Sequence, residues 1–169
     1  MSDTSHSPDA PVEDTKPVAV GDRAPDFTLP DQNGKPVRLS ELTSKRTVVL
    51  YFYPKDETRG CTAEACGFRD SYQVFSEAGA EVVGVSSDSV ESHRNFAQHH
   101  RLPFILLSDA HSALRKRYGV PTTLGMIPGR VTYIIDRHGI VRHIFSSQIQ
   151  VEKHISEALE TLRALALAE

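Results

Sequence analysis

The chain predicts an α/β fold in which a mixed central sheet is flanked by helices and preceded by an N-terminal β-hairpin. Three observations carry this expectation. Thr47 to Tyr53 is an unbroken β-branched and aromatic run, as a strand buried on both faces requires. From Cys61 to Tyr118, segments with helical spacing alternate with short apolar runs, the order of a sheet covered by helices. Two pairs of short segments joined by turn-forming residues lie outside that region, one before it and one after it. At 169 residues the chain fits one domain of the usual ~100–200 residues, large enough to bury a core without metal or disulfide staples.

The elements follow in order. Residues 1–17 are Ser, Asp, Pro and Thr with almost no large apolar side chains, and they read as a disordered tail ahead of a domain spanning 18–169. Asp26 to Leu29 and Pro36 to Leu39 alternate polar and apolar, and Gln32-Asn33-Gly34-Lys35 supplies the turn between them. Thr47 to Tyr53 is the central strand, stopped by Pro54. Cys61 to about Ala78 is a helix, with Phe68, Tyr72 and Phe75 at helical intervals. Glu81 to Ser86 is a strand. Val90 to about His100 is a helix capped by Asp88 or Ser89, and a strand follows around Phe104 to Leu107. A short helix from about Ser112 to Tyr118 ends at Gly119. Val131 to Ile135 and Ile140 to Phe145 form a second hairpin, and Val151 to about Leu167 closes the chain as an amphipathic helix. A thioredoxin-like fold satisfies this order, although the pattern alone does not select it over related three-layer folds.

The bulk chemistry narrows the function. A net charge of −3 and a pI near 6.2 give no electrostatic case for nucleic acid or an anionic membrane surface. No apolar run reaches the ~18 residues needed to span a bilayer. Two cysteines are too few for a secreted disulfide scaffold, so a chemical role is the better account of them. The first residues lack the basic start and apolar stretch of a secretory signal, and they are acidic for a transit peptide. The expected location is therefore the cytoplasm.

The segment from Tyr53 to Cys66 carries the chemistry. It runs from the end of a buried strand, through a polar loop, into the start of a helix. Carboxyl ends of strands are where sites gather in open α/β sheets. A cysteine in the first turn of a helix faces unpaired N–H groups at the positive end of the dipole, which favours thiolate. A thiol with pKa ~8.5 is only about 3% thiolate at pH 7, whereas one at ~6 is roughly 90% thiolate.

Pro54-x-x-x-Thr58-x-x-Cys61 resembles the P-x-x-x-T-x-x-C motif of peroxiredoxins. Cys61-Thr62-Ala63-Glu64-Ala65-Cys66, followed by Phe68-Arg69-Asp70, is similar to the peroxiredoxin Q (bacterioferritin comigratory protein) subgroup. Pro128 to Asp136 resembles the segment that carries the family's active-site arginine, here Arg130. The likeness extends over roughly residues 18–165.

This resemblance implies a thiol peroxidase acting on hydrogen peroxide and organic hydroperoxides, with no cofactor and no metal. Cys61 would attack the peroxide and become a sulfenic acid. Thr58 would place the peroxide, Pro54 would shield the sulfenic acid, and Arg130 would supply fixed charge. Glu64 would orient the arginine. Cys66 would resolve the sulfenic acid into an intramolecular disulfide, re-reduced by thioredoxin or a similar dithiol protein. The Q subgroup also implies a monomer or weak dimer. Helical geometry adds a condition: two α-carbons five residues apart stand ~8.7 Å from one another, beyond the ~7 Å a disulfide tolerates. The helix start would have to unwind after oxidation.

Two other readings compete. A disulfide exchanger would ordinarily carry C-x-x-C rather than the C-x4-C found here. A chaperone or redox-sensor module would oxidise slowly and hold a stable oxidised form. The eight histidines do not join the cysteines in any standard zinc spacing, and most are expected to face solvent.

Overall fold

The computed structural model describes residues 16–123 and 125–168, so most of the expected 1–17 tail lies outside the described residues. β1 (Thr28–Pro30) pairs antiparallel with β2 (Pro36–Arg38). Their turn is held by Asp31, whose Oδ1 accepts from the N–H of Asn33 and of Lys35 at 2.8 and 3.0 Å. Leu39, expected to extend the second strand, instead opens a short helix, α1 (Leu39–Thr43). The reason lies upstream: Asp26 Oδ1 accepts from the Ser40 N–H at 2.9 Å, supplying one of the partners that a helix start lacks.

β3 (Thr47–Phe52) leads into α2 (Arg59–Asp70) and α3 (Tyr72–Glu77). The sequence suggests one helix here, but the backbone leaves the helical region at Ser71 (φ −100°, ψ 3°). Apolar spacing carries across the break, with the rings of Phe68 and Phe75 5.7 Å apart, so periodicity alone does not reveal it. Then follow β4 (Ala80–Ser86), α4 (Val90–His100), β5 (Ile105–Ser108) and α5 (Ala113–Tyr118). Ser89 caps α4 by accepting from the Ser92 N–H. Gly119 ends α5 at φ +75°, and a Cβ there would collide with Pro17, so both torsion and packing call for glycine. A two-residue hairpin unforeseen in the sequence, β6 (Thr122–Thr123) with β7 (Ile127–Pro128), precedes β8 (Val131–Ile135) and β9 (Val141–Ser146). α6 (Val151–Ala168) closes the chain.

The main sheet has the order β5-β4-β3-β8-β9. β3, β4 and β5 are parallel, whereas β8 runs antiparallel to both β3 and β9, so the sheet is mixed. Side chains alternate along β3. Val49 and Tyr51 join Phe68, Phe75, Phe96 and Ile155 of α2, α3, α4 and α6 on one face. Val48, Leu50 and Phe52 join Leu39, Leu114 and Tyr118 of α1 and α5 on the other. Each such large side chain withdrawn from water contributes about 1.5–3 kcal/mol, which is why the central strand is apolar in every register. The result is the three-layer arrangement expected. Among the described residues, no helix is long and apolar enough to cross a membrane.

Candidate active site

The site forms where β3 ends. The register pairs Phe52 with Val131, so the chain leaving β3 and the residue entering β8 lie side by side. This brings Arg130 to Cys61 across 69 positions of sequence. Thr58 is the N-cap residue of α2 and Cys61 stands in its first turn, buried to 1% exposure. Arg130 Nη2 donates to Cys61 Sγ at 3.4 Å, and Nη1 donates to Glu64 Oε1 at 2.6 Å. Glu64 follows Cys61 by three residues, and so it lies on the same helical face. One guanidinium is thus shared between a sulfur and a carboxylate, with Nε donating to the Gln148 carbonyl at 3.3 Å. Gly60 makes room for it, since a Cβ there would stand 3.1 Å from Arg130 Nη2.

The electrostatics of this trio oppose one another. Burial pushes the Glu64 carboxyl up to about 7 even though Arg130 pulls it down. Desolvation pulls Arg130 down, but Glu64 and Cys61 more than offset this, and the guanidinium is held above its ordinary value. Among the described residues, neither the buried Glu64 Oε2 nor the buried Tyr51 hydroxyl has a hydrogen-bond partner. His154 Nδ1 lies 3.6 Å from Glu64 Oε2, too far for a hydrogen bond. Its Nδ1 instead sits 2.7 Å from Thr132 Oγ1, and Nε2 lies 2.8 Å from the Ser147 carbonyl. Burial pulls His154 down to about 4, leaving a neutral ring whose Nε2 donates and whose Nδ1 accepts.

Of the residues anticipated from sequence, Cys61, Glu64 and Arg130 meet directly. Thr58 Oγ1 donates to the Lys55 carbonyl at 2.8 Å, which leaves the oxygen free to accept, and Pro54 is half-buried at the loop start. Cys66 is not brought to Cys61. Both are free thiols on the same helix, with Cys66 half-buried in a groove beside Gly67, Ile149 and Val151.

Three groups escaped the sequence reading. Arg115 of α5 donates to the Tyr53 carbonyl at 2.7 Å and the Gly129 carbonyl at 2.8 Å, tying together the segments that carry Pro54 and Arg130. Asp56 is buried in the loop. Its carboxylate accepts from the Tyr53 hydroxyl (2.6 Å) and Ser92 Oγ (2.8 Å) and meets His93 Nδ1 at 2.7 Å, while its N–H donates to Asp88 Oδ2. His154 is the third. His93 and His154 are wholly buried, two exceptions to the expectation that most histidines face solvent. A signal existed for His154 in its spacing of four from Ala158 and eight from Leu162 on the buried face of α6. None existed for Arg115, because its partners are carbonyls.

The AhpC/TSA family model matches residues 20–144. The chain is 52% identical over 163 residues to chloroplastic peroxiredoxin Q of Sedum lineare, covering 94% of this chain and 87% of that protein. The crystal structure of peroxidoxin BcpB from Mycobacterium tuberculosis superposes with a TM-score of 0.82 at 43% identity, covering 88% of this chain and 98% of that one. A structure of the bacterioferritin comigratory protein of Xanthomonas campestris, described in terms of alkyl peroxide reduction, superposes at 0.78 and 31% identity, covering 88% and 98%. These likenesses establish the expected thioredoxin-like fold. The expectation of a cytoplasmic location is corrected: the Sedum lineare relative, like others from plants, is named chloroplastic. Sparse cysteines report a reducing environment, and a reducing environment does not single out one compartment.

Proposed function

Because this chain belongs to the AhpC/TSA family, among the peroxiredoxins of the Q type, we propose that it is a thiol-dependent peroxidase working through Cys61 and Cys66. The observation that carries this reading is the Arg130 guanidinium divided between Cys61 Sγ and Glu64 at the start of α2. Permanent positive charge against the sulfur favours its anionic form, and the same charge stabilises the oxygen that leaves.

In the reaction the Cys61 thiolate attacks the terminal oxygen of a hydroperoxide. The O–O bond breaks, the sulfur becomes a sulfenic acid, and the departing alkoxide or hydroxide takes a proton to leave as alcohol or water. Thr58 Oγ1, whose proton is committed to the Lys55 carbonyl, accepts the peroxide hydrogen and so orients the O–O bond. Pro54 covers the sulfenic acid. Glu64 holds the guanidinium in register with the sulfur.

The Cys66 thiol then attacks the sulfenic sulfur, forming the disulfide and releasing water. Since both residues sit in α2, its first turns unwind for this step. A dithiol protein such as thioredoxin exchanges with the disulfide and returns both thiols. The groove beside Cys66 leaves that sulfur the more approachable of the two. Hydrogen peroxide and alkyl hydroperoxides are the substrate class, in keeping with the Xanthomonas campestris relative. The protein works as a monomer or weak dimer and needs no cofactor.

The test is one equivalent of hydrogen peroxide added to reduced protein, followed by intact mass and free thiols. Rapid loss of two thiols and about two mass units is expected. Cys61→Ser abolishes the change, and Cys66→Ser replaces it with a trappable sulfenic acid. Persistence of both thiols for many minutes would overturn the reading in favour of disulfide exchange or a binding module.

A further inference from the structure

Two clusters of metal-ligating side chains each join one residue of the loop between β3 and α2 to residues on or just before α4. Asp56, Asp88 and His93 converge, but they are shut in and already bonded. Both Asp56 oxygens are taken, Asp88 Oδ2 accepts from Ser86 and from Asp56 N–H, and His93 Nε2 meets the Leu107 carbonyl. The second cluster opens to solvent. Glu57 Oε1 lies 2.9 Å from His99 Nδ1, Glu57 Oε2 lies 3.1 Å from His100 Nε2, and the three candidate ligand atoms stand within 4.8 Å of one another.

The backbone is arranged for this convergence. Consecutive helical residues ordinarily point ~100° apart, yet the rings of His99 and His100 come to 4.1 Å between centroids. α4 ends immediately afterwards, with Arg101 left-handed at φ +53°. Glu57 is left-handed as well, at φ +63°, a region that a glutamate enters only when its surroundings hold it there. Two neighbouring charges are engaged elsewhere. The Asp56 carboxylate turns inward to His93, and Arg69 is spent on Asp70 and the His100 carbonyl.

We propose that Glu57, His99 and His100 form a surface site for a divalent transition-metal ion of the zinc class, bridging the Thr58-bearing loop to the end of α4. Two imidazoles and one carboxylate are a donor set for Zn2+, Ni2+ or Cu2+ rather than for Mg2+ or Ca2+, which take oxygen ligands. Ligand atoms around tetrahedral zinc stand roughly 3.3 Å apart, so the exposed side chains close on the ion by small rotamer changes. Three protein ligands leave a position open to water. Glu57 immediately precedes the N-cap of α2, so an ion there restrains the loop against α4.

The experiment titrates Zn2+ calorimetrically into the full-length, tag-free Cys61→Ser/Cys66→Ser protein, in which no thiol competes. One saturable equivalent is expected, with no heat from Mg2+. His99→Gln and His100→Gln, at exposed and half-buried positions, should each weaken binding by at least ~10-fold with the thermal midpoint unchanged. Amide exchange across residues 56–61 should slow on Zn2+ addition in the parent and not in His99→Gln. Unchanged affinity in both histidine variants would overturn the site. Binding that leaves exchange across the loop unaltered would overturn the bridge. The peroxidase reading stands or falls separately, because no step of this test uses peroxide.

Discussion

Gly60 separates stability from chemistry. A methyl group there would stand 3.1 Å from Arg130 Nη2, and the end of an arginine side chain yields easily. Gly60→Ala should therefore leave the unfolding free energy unchanged or raise it by up to about 1 kcal/mol through helix propensity. It should also slow sulfenic acid formation by roughly 10-fold, because the guanidinium no longer meets the sulfur squarely. Urea unfolding and stopped-flow peroxide consumption on one preparation check both halves. Arg115 makes the opposite case. Arg115→Met strands two carbonyls, of Tyr53 and Gly129, at a cost on the order of 2–4 kcal/mol, with loss of peroxidase rate in whatever remains folded. Arg115→Lys, able to reach one of them, should fall between in both measurements. Cys61, Thr58 and Arg130 were legible because their chemistry is tied to residue type and order. Arg115 was not, because a side chain that binds main-chain carbonyls leaves no pattern in the sequence, and for His154 the spacing on α6 marks burial but not the carboxylate beside it.

The elements were legible to the extent that each obeys one period. β3, with no polar residue between Val48 and Phe52, and α4, with its Ser89 cap, lie where the sequence puts them. Failures came where a distant partner sets the boundary. α1 begins because Asp26, fourteen residues upstream, reaches the Ser40 N–H. The β6–β7 hairpin has too few residues for alternation to register. For α2, a helix holding two thiols that cannot meet within it, the expectation is dynamic. Oxidation by one equivalent of peroxide should raise amide exchange from Thr62 to Phe68 while β3 and β4 stay protected, as hydrogen exchange with mass spectrometry would report. Identical exchange in the two redox states would exclude local unwinding as the route to the disulfide.

At the scale of the whole molecule, Glu64 of α2 and His154 of α6 lie 3.6 Å apart, and the burial of each couples stability to pH. Glu64 is raised from 4.5 to about 7 by burial, so between those values the folded chain binds more protons and stability falls as pH rises. His154 is lowered from 6.5 to about 4 by burial, so between those values the unfolded chain binds more protons and stability rises with pH. The two slopes oppose each other from about 4.5 to 6.5. His154→Gln removes the rising one, and its urea midpoint should drop between pH 5 and pH 7 more steeply than the parent's. Glu64→Gln should do the reverse, and the lowered carboxylates Asp26 and Asp136 cancel because every variant retains them. The placement of both thiols on α2 has a further consequence, for survival under load. In the proposed cycle, a Cys61 sulfenic acid waits for a helix to open before Cys66 resolves it. A second peroxide arriving in that interval drives it on to the irreversible sulfinic state. The firmness of those few helical turns thus acts as a clock, and a substitution that made α2 more rigid would leave a hardier fold more readily inactivated by its own substrate.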